Sequence, residues 1–186
     1  MSNNSWDWLG DRMYFWQNNY QRAWDYANNP SNTSKIKRPA ILGAVFSLGH
    51  CLDLTEKQSL DIVKIAYQFY ADSIRSQGKK MPVNSNPIEA VNSRDNIIRR
   101  LDCAVIKTVH DLIHQEDLPP FDSVRALLPE GDELYDGAGF LDKTHIQIAI
   151  RNPNMIKGFF LPRKDTSWKG LPIPLKPKRK LSAGRK

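Results

Sequence analysis

The sequence predicts an α+β fold, and three observations support this prediction. Two segments, 55–78 and 95–114, repeat apolar residues at intervals of three and four, the period of a helix that packs against a core. An aromatic run at 13–16 has the composition of a β-strand. Beyond residue 119, alternation of apolar and polar residues indicates further strands. A chain of 186 residues is long enough for one domain with a substantial core.

The N-terminal segment is rich in large aromatic side chains and holds four of the five tryptophans. Gly10 precedes the run 13–16, so we predict a turn followed by a short strand, and residues 17–27 have the pattern of a helix. Clustered aromatic residues most often pack in a core, but they also stack against planar ligands. Both interpretations remain open for this segment, whose tryptophans are Trp6, Trp8, Trp16 and Trp24.

The middle of the chain is predicted to begin with a strand. Residues 40–49 are almost wholly apolar, as expected of a strand that is buried on both faces. The first of the two predicted long helices follows at 55–78, with Thr55 as its N-cap, and a long loop follows at 79–94. Loops of this length often lie over binding sites.

The second long helix, predicted at 95–114, carries His110 and His114 one turn apart on one face. This spacing is similar to that of the zinc-protease helix, but Asp111 replaces the glutamate that acts on metal-bound water, and no clear third ligand follows. We therefore predict a solvated helix face and no metal site. Cys51 and Cys103 lie far apart in apolar surroundings, so we expect two reduced, buried thiols.

Strands are predicted again in the C-terminal part of the domain. Residues 121–128 form a candidate strand, and a loop rich in glycine and acidic residues spans 130–140. Residues 144–151 and 155–161 flank Asn152-Pro153-Asn154, a sequence typical of a turn, and the first of these segments alternates as a strand does. These features predict a hairpin of two short strands.

The positive charge of the chain is concentrated at its C-terminal end. The net charge is +7, yet residues 162–186 alone hold nine basic residues and one acidic residue, a net of +8. The other 18 basic and 19 acidic residues leave 1–161 at −1. Four prolines disfavour a helix, so we divide the chain into a domain at 1–161 and a flexible basic tail at 162–186. Such a tail either attracts nucleic acids and acidic partners without sequence preference or only solvates the protein.

Two motifs at opposite ends of the chain resemble those of a known fold. The first consists of Gly10, Tyr14 in the strand that follows and Ala23 on the next helix, and the second is Gln147 before Pro153 in the predicted hairpin. Together they resemble the ADP-ribosyltransferases of diphtheria-toxin and poly(ADP-ribose) polymerase type. The resemblance implies a split, mostly antiparallel sheet flanked by helices, in which the two motifs meet in one cleft that binds NAD.

The same resemblance implies roles for individual residues. Tyr14 and Gln147 are the expected catalytic residues: Tyr14 would stack on nicotinamide together with Trp24 or Tyr26, and Gln147 replaces the glutamate that contacts ribose. Because an amide is not a usable base, Gln147 can hydrogen-bond a hydroxyl but cannot take its proton. The other expected NAD contacts are Arg22, which replaces a serine of the motif, His145 on the same side of its strand as Gln147, and Ser123 and Arg125 at alternate positions of the strand 121–128.

The implied activity is transfer of ADP-ribose from NAD, the substrate, to a protein, RNA or DNA acceptor. The chain also resembles small bacterial or phage-encoded proteins of this fold that act as toxins or phage-defence effectors, which implies an antitoxin as a further partner. All four histidines follow Tyr14, whereas the histidine-bearing strand of the family precedes its tyrosine motif. We therefore expect that this first strand is missing from the chain.

The competing prediction is a catalytically inactive relative that binds nucleic acid or regulates a partner through its basic tail. Truncation at Pro162 separates the two functions, because it would remove nucleic-acid binding and leave NAD turnover unchanged. The polar N-terminus and the short apolar runs predict a cytoplasmic protein that does not span a membrane.

Overall fold

Helices and short strands together make up the domain. The computed structural model describes residue 2 and residues 4–29, 37–86 and 98–162. The helices in this part of the chain are α1 (Tyr20–Asn28), α2 (Lys57–Ser76) and α3 (Arg100–Gln115). The strands are β1 (Met13–Trp16), β2 (Gly43–Phe46), β3 (Cys51–Asp53), β4 (Asn84–Ser85), β5 (Ile98–Arg99), β6 (Ser123–Leu128), β7 (His145–Ile150) and β8 (Ile156–Phe160). This combination confirms the predicted α+β class. Residues 163–186, which make up nearly all of the predicted basic tail, lie outside the described residues.

The main sheet brings the two ends of the domain together. Its strand order is β1-β7-β6-β3, in which β7 is antiparallel to both neighbours and β3 is parallel to β6. Tyr14 lies opposite Ala149, and Trp16 lies opposite Gln147. The aromatic N-terminal motif and the strand that carries Gln147 are therefore neighbours.

One face of this sheet packs against helix α3. Directly paired residues share a face, so Tyr14 and Trp16 lie on the same face as Gln147 and His145. Helix α3 packs on this face. The core cluster there includes Leu52, Val105, Val109, Val124, Ala126 and Ala149.

The prediction of a strand buried on both faces at 40–49 is wrong. Only β2 is extended in this segment, and it pairs with β8 in a separate two-stranded sheet. Leu42 and Val45 are more than half exposed, at 57% and 59%. The Phe46 ring lies 5.0 Å from that of Phe15 in β1 and joins the small sheet to the large one.

The predicted hairpin is also wrong, although both of its strands exist. Strand β8 pairs with β2, and β7 pairs with β1 and β6. The reason lies in the connection, where the backbone N–H groups of Arg151 and Asn152 both donate to the carbonyl of Asp122. A short 3-10 turn, Pro153–Met155, then directs the chain out of the main sheet.

Both long helices begin later than the sequence predicts. Thr55 is not an N-cap, because its N–H and hydroxyl groups donate to the Asp53 carboxylate before α2 begins at Lys57. Within α2, Ala66 is buried, but Leu60 and Tyr67 are exposed. Helix α3 begins only at Arg100, because β5 precedes it and pairs with β4.

Candidate functional site

A cleft of about 810 Å³ lies between the N-terminal loop, α1 and the β1–β7 strand pair. It brings together side chains that are far apart in the sequence. Five aromatic residues line it: Trp6, Trp8, Tyr14, Trp16 and Tyr26. Gln147 and His145 of β7 line the same cleft, so the two predicted motifs do meet in one place.

Trp16 is the central aromatic residue of the cleft. Its ring lies 5.0 Å from the ring of Tyr26 and 6.3 Å from that of His145. The Trp16 indole nitrogen is buried and has no hydrogen-bond partner among the described residues. Sequence reasoning missed Trp16, although its spacing of two residues from Tyr14 already placed both on one face of a strand.

Helix α1 contributes Tyr26 to the cleft but not Trp24. Tyr26 is 40% exposed and lies beside Trp16, while Trp24 is not among the residues that line the cleft. Of the two aromatic residues predicted to stack on a ligand, only Tyr26 has the required position. The structure therefore places Tyr26, and not Trp24, in this cleft.

Tyr14 supports the N-terminal turn. Its hydroxyl donates to the carbonyl of Gly10 at 2.7 Å and accepts from the N–H of Leu9 at 3.0 Å. Burial is the main reason why the pKa of Tyr14 is raised above its ordinary value, and the nearby Asp7 carboxylate acts in the same direction. The ring borders the cleft and packs against the core, while the hydroxyl holds the turn.

The orientation of the Gln147 amide is determined by Trp8. The indole Nε1–H of Trp8 donates to Oε1 of Gln147. An indole nitrogen is only a donor, so the atom that it contacts must be the amide oxygen. The amide nitrogen is left as the group that Gln147 offers to a ligand, and this nitrogen only donates.

Arg22, Glu130 and His145 form a charged group at the edge of the cleft. Nη2 of Arg22 lies 2.9 Å from Oε1 of Glu130. Oε2 of the same carboxylate lies 3.7 Å from Nδ1 of His145. This Nδ1 is also 2.8 Å from the carbonyl oxygen of Lys143. Because a carbonyl only accepts, Nδ1 carries the hydrogen in the neutral ring. Sequence reasoning named Arg22 and His145 but missed Glu130, which lies in the acidic loop.

Arg99 of β5 covers part of the aromatic wall. Its guanidinium lies 5.1 Å from the centroid of the Trp8 ring, a cation–π geometry. The carboxylate of Asp102 is 3.6 Å from one of its terminal nitrogens. No local motif marked Arg99 in the sequence, since its position depends on the pairing of β5 with β4.

Ser123 and Arg125 lie away from the cleft. They share a face of β6 as predicted, but Ala126 is the residue opposite Gln147, so Arg125 projects from the other face of the sheet. There Arg125 binds the Asp53 carboxylate at 2.8 Å and Gln17 Oε1 at 2.9 Å. Ser123 donates to the carbonyl of Leu48 at 2.6 Å. This register places both side chains, which were predicted to contact the ligand, outside the cleft.

The two histidines of α3 have different surroundings. His114 is exposed as predicted, but the prediction of a solvated face is wrong for His110, whose ring packs 6.2 Å from that of Phe121. Burial, followed by the positive charges of Arg151 and Arg12, lowers the pKa of His110 to about 3. In the described ranges, no three His, Cys, Asp or Glu side chains are grouped so that they could hold a metal ion.

Comparisons with known proteins find no similarity: no family model, no curated protein and no solved structure matches the chain. Among the helices that the structure describes, none has the length and apolar character needed to cross a membrane.

Proposed function

We propose that the cleft binds NAD and that the protein transfers ADP-ribose to a macromolecular acceptor. The observation that carries this proposal is the wall formed by Trp16 and Tyr26 directly beside Gln147. Flat side chains in an open cleft can stack on nicotinamide or adenine, since every base has a π-face. The polar group that contacts ribose then comes from the strand next to the wall.

Positive charge in the cleft supports a ligand that carries phosphates. Arg12, Arg22, Arg99 and Lys143 line it, and the diphosphate of NAD is negatively charged. Guanidinium groups match phosphate oxygens with paired hydrogen bonds. The carboxylates of Asp7, Asp25 and Glu130 line the cleft as well, and Arg22 binds Glu130, so the four cations and three carboxylates leave a net charge of +1.

The reaction requires a group that orients ribose. The bond between ribose C1′ and nicotinamide breaks through an oxocarbenium-like transition state, nicotinamide leaves, and an acceptor atom bonds to C1′ and loses its proton. Because Trp8 holds the Gln147 oxygen, Gln147 donates from its nitrogen to a ribose hydroxyl and orients the sugar. It does not accept the proton of the acceptor, which passes in our proposal to the pair formed by His145 and Glu130.

The test of NAD binding uses two tyrosines of similar exposure. Tyr26 is 40% exposed and lines the cleft, whereas Tyr67 on α2 is 43% exposed and does not line it. We expect Tyr26→Ala to weaken NAD binding roughly tenfold, the contribution of one stacked base, and Tyr67→Ala to leave it unchanged. Quenching of tryptophan fluorescence during NAD titration measures both. Equal binding by the two variants would contradict the proposed cleft.

The transfer step is tested separately through release of nicotinamide from NAD. We expect slow release by the natural chain and faster release by Gln147→Glu, because a carboxylate accepts a hydrogen bond from ribose and stabilises positive charge. If both forms bind NAD but neither releases nicotinamide, the transferase proposal fails. The inactive relative that acts through its basic tail then becomes the better account.

A further inference from the structure

Two arginines meet at one end of the β1–β7 strand pair. Met13 of β1 is paired with Ile150 of β7. Arg12 comes directly before Met13, and Arg151 comes directly after Ile150. Arg12 and Arg151 therefore come at the same end of the pair. His110 on α3 is close enough to both for their charges to lower its pKa.

One nitrogen of each side chain in this group lacks a partner. Nε of Arg12, Nε of Arg151 and Nε2 of His110 are buried and form no hydrogen bond within the described part of the chain. There, Arg151 also forms no ion pair, and the side chain of Arg12 donates from Nη1 to the carbonyl of its neighbour Asp11. Buried polar groups in folded proteins are almost always paired, so such a cluster indicates a missing partner.

The carboxylates of Asp11 and Asp111 offset the charges of the two arginines only in part. Asp11 is bound by the ammonium of Lys107 at 2.9 Å, and Asp111 on α3 is exposed. Burial, followed by repulsion from Arg12, lowers the pKa of Arg151 to about 10. Two like charges side by side in a partly buried place cost free energy, which an anion between them would recover.

We propose that Arg12, Arg151 and His110 form a binding site for a phosphate group. Two guanidinium groups supply planar sets of donors, and neutral His110 supplies a further N–H group beside them. Since Arg12 also lines the aromatic cleft, the phosphate belongs either to a nucleotide in the cleft or to free phosphate or diphosphate. The site does not depend on the proposed transferase activity.

The test measures binding of inorganic diphosphate by calorimetry at constant ionic strength. Arg151 does not line the cleft, so Arg151→Gln probes this site alone, and Arg75→Gln on α2 is the control with the same charge change at a 79% exposed side chain. We expect Arg151→Gln to weaken binding roughly tenfold or more, the effect of losing charge-assisted hydrogen bonds, and Arg75→Gln to have no effect. Equal affinity in both variants would overturn the proposal.

Thermal denaturation guards against a variant that merely misfolds. Low millimolar diphosphate should raise the melting temperature of the natural chain and of Arg75→Gln, but not that of Arg151→Gln. An equal rise in all three would show unspecific stabilisation and contradict the site. ADP-ribose then identifies the source of the phosphate: competition with diphosphate assigns the site to a nucleotide in the cleft, and simultaneous binding assigns it to the free anion.

Discussion

The hydroxyl of Tyr14 closes the turn before β1, since it bonds both the N–H of Leu9 and the carbonyl of Gly10. Leu9 is fully buried, so its N–H has no access to water when the hydroxyl is removed. We expect Tyr14→Phe to lower the free energy of unfolding by about 2 kcal/mol, measured by urea denaturation. Tyr67→Phe, at an exposed tyrosine, is the control and should change little. Unchanged stability of Tyr14→Phe would contradict this role.

His110 makes the stability depend on pH. Its pKa is 6.5 in the unfolded chain and about 3 in the folded protein, lowered by burial and then by Arg151 and Arg12. The unfolded chain therefore binds more protons below pH 6.5, and the free energy of unfolding falls as the pH falls, by at most about 1.4 kcal/mol per unit. Asp122, whose pKa is lowered first by a hydrogen bond from Asn152, adds a loss only near its unfolded pKa of 3.8 and below.

The measurement is urea denaturation between pH 7 and pH 5. We expect the natural chain to lose stability over this range and His110→Gln to lose much less, because the neutral amide takes up no proton in either state. His114→Gln, on the exposed side of the same helix, should keep the slope of the natural chain. A natural chain with constant stability over this range would show that His110 is not kept neutral by the fold.

Asp122, directly before β6, links this strand by hydrogen bonds to the segments next to β3 and β7. Its carboxylate accepts from the N–H of His50 before β3 and from the amide of Asn152 after β7. Gly49 lies against this carboxylate with φ +59°, and a Cβ at this position would be 2.2 Å from Oδ2 of Asp122. The junction therefore requires glycine for both space and backbone conformation.

Gly49→Ala should destabilise the protein by about 3 kcal/mol, because the strain of a positive φ adds to the displacement of Asp122. Gly78→Ala is the matched control, since Gly78 also has a positive φ, +63°, but nothing lies within 4 Å of its added Cβ. That variant should lose only about 1 kcal/mol. Chemical denaturation compares the two, and equal losses would show that the contact with Asp122 is unimportant.

The positions of the strands were easier to predict than their partners. Alternation within β7 and the aromatic composition of β1 are local patterns, and both strands formed where they were predicted. Pairing is decided elsewhere: the Asn152 amide donates to Asp122 while its side-chain oxygen accepts from the N–H of Asn154, and β8 leaves β7 and joins β2. Exposed Leu42 and Val45 show that an apolar run does not by itself indicate burial.

The residues of the cleft could be predicted from the sequence only where they belong to one of the two motifs. Tyr14, Tyr26, Gln147 and His145 all line it, and they were named through the resemblance of two motifs to those of the ADP-ribosyltransferases. Arg99 and Glu130 enter the cleft from distant parts of the chain, and no local pattern marked them. The register of β6 with β7 decides which face of the sheet its residues occupy, so the shared face of Ser123 and Arg125 could be predicted but its side of the sheet could not.

The pairing of Met13 with Ile150 also determines when the protein can fold. Strand β7 lies between β1 and β6, and it is made after both of them during synthesis. Until the ribosome has released β7, neither strand has its main partner, and contacts between such distant residues form slowly. The newborn chain therefore carries its aromatic N-terminal strand without its β7 partner for most of its synthesis.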